Sequence, residues 1–499
     1  MTRIATKAMN PRLAIPCLST NSWLTDHAFR IAVGDVLGNV VPSHAGMAGG
    51  EASLMAGLTY GAWTRDAAIN TWNGLSAFWP EVMHNTLLNE VDDQKLLVGQ
   101  YWDAVVWVTG AWQHFLWTGD RAFLQRVYEV SVNWLAKMEL EELGDDGVFR
   151  GGACFQDGIS GYGDRYSRAG GSSCIADWAK ANPDQRCQSG VGLPMHCLST
   201  NCLYLNAYEV IGRMEVALGK PVVPHYAALA ARLRKAIVKL FRIPQTGLFR
   251  YNVDPWGTDD RQEGMGHAFA LMFGLVDDPV SFIEAVRSTV HGIPCLWPGY
   301  DRYEGTVGGN RRRFGRHAGL VWPQVQAFWA DACAGAGRYD VAFAEMRHLA
   351  EKALRDGNFF ECYHPDDGLP EGGVQEIDIT QPAEWHAWCL RERHELFPGG
   401  PLFRWVSQPR TTWGATGFMR LILHVCAGLQ LFHDRLEIHP HLPPDMDRLS
   451  LADIHWRQAT LSISIVRGTA SRLLLDGRPV AAIASDLQGR HNIEATCAV

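Results

Sequence analysis

Long apolar runs are absent from this chain of 499 residues. No stretch reaches the ~18 residues that a membrane span needs. There is no basic block either. Its 45 Lys and Arg stand against 53 Asp and Glu, a formal charge of −8, which argues against nucleic acid or an anionic membrane as a partner. The opening "MTRIATKAMNPRLAIPCLSTNSW" has basic residues, but its apolar patch "LAIPCL" is short and broken by Pro16, so no signal peptide is read. The 12 cysteines show no paired framework, and a reducing, cytoplasmic setting is the expectation. His196 and Cys197 with Cys202 come nearest to a metal cluster. No second pair at ligand spacing joins them, so neither a metal nor another cofactor is expected.

What the chain does have is tryptophan, 19 residues of it. Trp is over-used where flat, polar-edged ligands stack on rings, sugars above all. The middle of the chain repeats one theme: an apolar helix, a short Gly/Asp turn, then a second helix. The turns fall at Gly119-Asp120, Gly219-Lys220-Pro221, Asp277-Asp278-Pro279 and Gly335-Ala336-Gly337. Apolar positions recur at three and four residues. The first helix of each pair is apolar nearly all round, and the second carries a polar face. That contrast predicts inner and outer helices of a double-layered (α/α)6 toroid, a mainly α fold, over residues 1–433. From about residue 434 the pattern alternates with period two, predicting a small antiparallel β domain over 434–499.

Long Gly- and aromatic-rich connections, 147–195, 293–316 and 357–411, lie between the hairpins. Structureless loops of this length are usually functional. They all follow an outer helix and precede an inner one, so they would crowd one end of the toroid. Two loop carboxylates stand out. Asp157, in "CFQDGISGYGDRY", has no helix to cap, although an Asx-turn with Gly158 accounts for it equally well. Glu361, in "GNFFECYHPDDGLPEGG", follows two Phe residues that could adjust its pKa. Asp164, Glu376, Asp378 and Glu384 are rivals in the same loops, Glu384 in "QPAEWHAW" the strongest. Two carboxylic groups facing each other across a bond are what glycosidic cleavage uses. A further oddity is "YGAWTRDAAINTW", where Arg65 and Asp66 open a helix built to be buried. Thr64 as N-cap and Asp66 in the first turn fit a helix start; Arg65 opposes the dipole.

With these residues in view, the chain resembles the six-hairpin (α/α)6-barrel glycosidases, among them glycoside hydrolase family 63 and the glucoamylases. "WTRDAAI" is similar to their Trp-x-Arg-Asp motif, which implies that Arg65 and Asp66 grip the outer hydroxyls of a terminal sugar. "ECYHPDDGLPEGG" resembles the segment that carries the general base in family 63. "GLVWPQVQAFW" and "TTWGATGFMRLIL" resemble the openings of inner helices. The C-terminal β segment looks like that of related families, phosphorylases among them. The resemblance implies an exo-acting, inverting hydrolase of a small saccharide or glycoside, with terminal α-glucose expected. Asp157 would be the acid, its pKa raised by desolvation from the aromatic loops, and Glu361 the base, which must stay ionised. Trp63, Arg65, Asp66, Tyr162, Trp322, Tyr363, Glu384 and Trp413 would hold the sugar. The nearest alternative is a glycoside phosphorylase, for which "GGNRRRFGRH" at 308–317 could hold phosphate; the same cluster could bind a carboxylate-bearing substrate or be a solvated loop, the reading preferred here.

Overall fold

The computed structural model describes residues 13–41, 52–98, 101–167, 173–221, 223–307, 311–376, 391, 395–396 and 402–498. Helices dominate, and a β region closes the chain. The helices are α1 (Trp23–Gly38), α2 (Thr64–Trp72), α3 (Pro80–Leu88), α4 (Val106–Thr118), α5 (Arg121–Glu141), the single turn α6 (Trp178–Ala181), α7 (Leu198–Leu218), α8 (Pro224–Phe241), α9 (Gly264–Met272), α10 (Pro279–Ala285), α11 (Pro323–Gly335), α12 (Tyr339–Asp356) and α13 (Thr412–Arg420).

Six of them close on themselves. α2 packs on α4, α4 on α7, α7 on α9, α9 on α11, α11 on α13, and α13 back on α2. Their composition explains the placement. In α4 every residue from Val106 to Leu116 is buried except Gln113, and Trp117 is buried too, so this helix can only sit inside. Its partner α5 buries a stripe of Phe123, Leu124, Val127, Val130, Trp134, Leu135 and Met138 and wets the opposite face. Gly110 sets how closely α4 approaches α2: a Cβ there would stand 2.6 Å from the Ala68 backbone. The hairpin turns fall where the sequence places them. Gly119 ends α4 in the left-handed region, and the Asp120 side chain accepts from the N–H groups of Ala122 and Phe123 to cap α5. Asp278 caps α10 ahead of Pro279 in the same way.

The C-terminal region differs from expectation in two respects. Its main sheet is not wholly antiparallel or wholly C-terminal. Strands β1 (Cys17–Thr20), β2 (Arg448–Trp456), β3 (Gln458–Gly468), β4 (Arg472–Leu475), β5 (Arg478–Pro479) and β6 (Gln488–Ala498) lie in the order β1-β2-β3-β6-β4-β5. β3 and β6 run parallel, from Gln458↔Gln488 to Gly468↔Ala498. β1 arrives from the other end of the chain and pairs antiparallel with β2, Leu18 opposite Leu451. Alternation reveals a strand but not its partner, which is why neither feature was legible. The sheet's inner residues, including Leu449, Ile454, Trp456 and Ile463, share one apolar core with α1, α3, α12 and α13. Among the described residues no helix is long and apolar enough to cross a membrane.

Candidate active site

The start of α2 answers the puzzle of Arg65. Trp63, not Thr64, is the N-cap residue, and no side chain caps the helix. The Thr64 hydroxyl, expected as the cap, instead meets Glu90 Oε2 at 3.0 Å and donates to the Val98 carbonyl at 2.7 Å. Asp66 does lie in the first turn, where the macrodipole favours a carboxylate. Arg65 is buried among three carboxylates: Asp103 at 3.1 Å, and Asp66 and Asp157 each at 3.7 Å. The apolar helix tolerates its charge because the charge is paired.

One pocket gathers Tyr60, Trp63, Arg65, Asp66, Phe155, Asp157, Arg316, His317, Trp322, Glu361 and Trp413. Seven of these are sequence candidates drawn from five separate stretches of chain. The openings of α2, α11 and α13 supply Arg65, Trp322 and Trp413. Asp157 and Glu361 come from the long connections that precede α7 and α13. Trp322 is edge-on to Trp413 at 6.0 Å and to Phe155 at 5.4 Å, and stacks with His317 at 4.4 Å. Tyr60 stacks on Trp413 at 5.9 Å. Two pocket residues, Phe155 (φ 65°) and His317 (φ 58°), hold left-handed backbone, a cost of order 1–3 kcal/mol each that persists mainly at functional sites.

Glu361 is fully engaged. Tyr60 donates its hydroxyl to Oε2 at 2.7 Å, His317 Nε2 lies 3.2 Å from Oε1, and an Arg316 nitrogen lies 3.5 Å from the same oxygen. Burial alone would raise its pKa. The His317 bond, the Arg316 and His317 charges and the Tyr60 bond outweigh it and hold the carboxyl at about 2. His317 is itself pushed down by burial and by Arg316. A carboxylate only accepts, so the ring presents N–H at Nε2.

Asp157 is 24% exposed toward the pocket. Its pKa corrects an expectation. Burial pushes it up, but Arg65, Arg316 and His317 prevail and hold it below the ordinary carboxylate range. The aromatic loops were expected to do the opposite, and the cations of the loop before α11 are what that expectation omitted. Asp66, by contrast, is pushed up to about 7, chiefly by burial. Buried polar atoms without a hydrogen-bond partner cluster here: Asp66 Oδ2, Arg65 Nε, and the indole N–H groups of Trp322 and Trp413. That set of donors and acceptors between aromatic walls suits a polyhydroxyl ligand.

Two of the expected sugar-holding residues, Tyr162 and Tyr363, and two of the rival carboxylates, Asp164 and Glu376, are not among the residues that line this pocket. Tyr162 is buried beside the pocket loop, where its hydroxyl donates to the Gln156 carbonyl and accepts from the Ala153 N–H. Tyr363 is also buried, and its hydroxyl accepts from the Phe360 N–H at 3.1 Å. Glu384 and Asp378 lie outside the described residues. Asp164 and Glu376 are engaged with Arg302. The described part of the basic stretch, 311–317, is not simply solvated. Arg311 pairs with Asp367 and Glu371, Arg312 with Asp366, and Arg313 donates to backbone carbonyls, while Arg316 and His317 enter the pocket.

The family model for the mannosylglycerate hydrolase MGH1-like glycoside hydrolase domain matches residues 103–375, more than half of the chain. The chain belongs to this family. The matched span of this glycoside hydrolase domain includes Asp157, Arg316, His317 and Glu361, while Arg65 and Trp413 lie outside it. The family 65 glycosyl hydrolase C-terminal domain model matches residues 429–484. No curated protein matches the chain. Among solved structures, the GH63 mannosylglycerate hydrolase from Thermus thermophilus, in complex with Tris, is 12% identical with TM-score 0.57, covering 79% of this chain and 100% of that one. A sialidase is 12% identical with TM-score 0.59 over 89% of this chain. The GH78 rhamnosidase of Bacillus sp. GL1 is 11% identical with TM-score 0.57 over 97% of it. The chain spans 37% of the sialidase and 44% of the rhamnosidase. At these identities the likeness is one of fold.

Proposed function

We propose that the protein is an exo-acting, inverting glycoside hydrolase that releases a terminal sugar, α-glucose first among the candidates, from a small saccharide or glycoside. The closed cycle of six helices is read as the inner layer of an (α/α)6 toroid over residues 1–433, with 434–499 as the appended β domain. The observation that carries the reading is the pairing of opposites within one aromatic pocket. Glu361 is fixed and ionised by Tyr60, His317 and Arg316, while Asp157 is held by Arg65.

In this reading Trp63, Arg65 and Asp66 hold the outer hydroxyls of the sugar, and Trp322 and Trp413 form its walls. Arg65 offers charge-assisted donors, and Asp66 accepts or donates according to its proton. Glu361 takes a proton from a water that attacks the anomeric carbon. Asp157 gives one to the leaving oxygen. Asp157 must acquire that proton in the complex. Sugar hydroxyls that engage Arg65 loosen its hold on Asp157, and an aglycone overhead excludes water; both raise the acid's pKa.

Phosphorolysis is the second reading, favoured by Arg316 beside Glu361. A carboxylate held at about 2 would repel the phosphate that has to sit there, so hydrolysis is preferred. The test is incubation with α- and β-linked gluco-, manno- and rhamnosides and mannosylglycerate, with and without phosphate. Free sugar formed without phosphate supports the proposal. Sugar 1-phosphate formed only with phosphate removes Glu361 from its role.

A further inference from the structure

Asp103 is not part of the pocket wall, yet it touches Arg65, which the proposed mechanism uses, and the turn that carries Asp157. It lies in the 3₁₀ turn Trp102–Val105 that leads into α4 and is fully buried. Its Oδ2 accepts from Arg65 Nη1 at 3.1 Å, the shortest of the three carboxylate contacts Arg65 makes. The same oxygen accepts from the Phe155 N–H at 3.2 Å. Phe155 carries left-handed backbone, lies two residues before Asp157, and sets its ring 4.4 Å from the Arg65 guanidinium carbon. One carboxylate oxygen therefore ties the sugar clamp to the loop of the acid. The other, Oδ1, is buried with no hydrogen-bond partner, an expense that stability alone gives no reason to keep.

We propose that Asp103 is a positioning residue for glycoside cleavage, holding Arg65 and the Phe155–Asp157 turn as one rigid unit so that the terminal sugar and the acid stay in register. The proposal rests on the reading of Arg65 as clamp and Asp157 as acid. Misplacement by about 1 Å at such a site costs ~100-fold in rate. The charge of Asp103 matters as well as its shape. Without it Arg65 acts undivided on Asp157 and holds the proton off more strongly. The alkaline limb of kcat reports the acid losing its proton in the complex, so that limb moves to lower pH. Asp157 also faces Asp66 from α2 and Arg316 and His317 from the loop before α11, with Tyr101 and Cys174 beside it; these are unchanged in the test.

The test compares wild type, Asp103→Asn, Asp103→Glu and Asp157→Asn on an alkyl glycoside and on the glycosyl fluoride of the same sugar, whose leaving group needs no proton. Asp103→Asn is expected to lose ~100-fold in kcat/KM on both, to bind the free sugar product about tenfold more weakly through loss of an oriented charge-assisted contact, and to shift its alkaline limb to lower pH. Asp157→Asn is expected to fail on the alkyl glycoside alone. If Asp157→Asn stays fully active there, the acid reading is wrong whatever Asp103 does. If Asp157→Asn behaves as expected but Asp103→Asn stays within threefold on both substrates, the positioning proposal is overturned. A loss without the pH shift or weaker sugar binding marks a structural role and overturns it too. Should Asp103→Asn not fold, Asp103→Glu keeps the charge with altered reach; weakened sugar binding with the limb in place supports the proposal, and wild-type kinetics overturn it.

Discussion

Replacing Glu361 with glutamine keeps the shape of the side chain and removes its charge, and two consequences follow from what surrounds it. The first is stability. The carboxyl falls from 4.5 to about 2 on folding, because the His317 bond, the Arg316 and His317 charges and the Tyr60 bond overcome a burial penalty of opposite sign. A group lowered on folding contributes stability that is fully present above its unfolded value and is lost as pH falls through its folded one. From those two values the contribution is roughly 3 kcal/mol at pH 7 and roughly 1 kcal/mol at pH 3. Glu361→Gln should therefore be destabilised by up to that amount at pH 7, with the gap to wild type closing by about 2 kcal/mol at pH 3. Urea unfolding of both proteins at the two pH values measures this. The second consequence is turnover, which should fall ~10²- to 10⁴-fold on every substrate, since the water loses its base whatever the leaving group. A variant equally displaced from wild type at pH 7 and pH 3 would refute the electrostatic account. A variant that turns over normally would refute the assignment of the base.

Other outcomes follow from the same geometry. Asp157→Asn should cost ~10²- to 10⁴-fold on substrates with poor leaving groups and little on a glycosyl fluoride, as measured by kcat/KM. Arg65→Ala should weaken sugar binding and, by leaving Asp66, Asp103 and Asp157 uncompensated, destabilise the fold by ~3–5 kcal/mol; calorimetry of unfolding and of saccharide binding reads both. Trp413→Ala removes a pocket wall and the ring on which Tyr60 stacks; KM should rise, and intrinsic fluorescence should lose its response to the sugar.

The parts of the site legible in the sequence were those whose residue type contradicts its setting. Arg65 inside an apolar helix announced itself, the resemblance of two inner-helix openings supplied Trp322 and Trp413, and the structure gathers them with Asp157 and Glu361 in one pocket. Residues whose setting looks ordinary were missed. Asp103 in "YWDAVV" reads as a helix start. Arg316 and His317 were singled out only as part of a basic stretch, read as solvated in preference to an anion site, whose other arginines do pair with neighbouring carboxylates and carbonyls. Tyr60 became a partner of Glu361 only through a contact spanning 301 residues. Helical pairing was legible because turn chemistry at Gly119-Asp120 and Asp278-Pro279 is local. Joining β1 to the far sheet and aligning β3 with β6 depend on long-range register, which periodicity does not encode.

The central claim is that Glu361 activates water on the face of the sugar opposite Asp157. A time course of cleavage followed by ¹H NMR tests it most directly, read in the first minutes before mutarotation on the substrate the saccharide panel identifies. The account predicts that the first sugar to appear carries inverted anomeric configuration, β-glucose from an α-glucoside, with or without phosphate. Product first appearing with retained configuration would mean a covalent intermediate and two carboxyl groups only ~5 Å apart, and would contradict it.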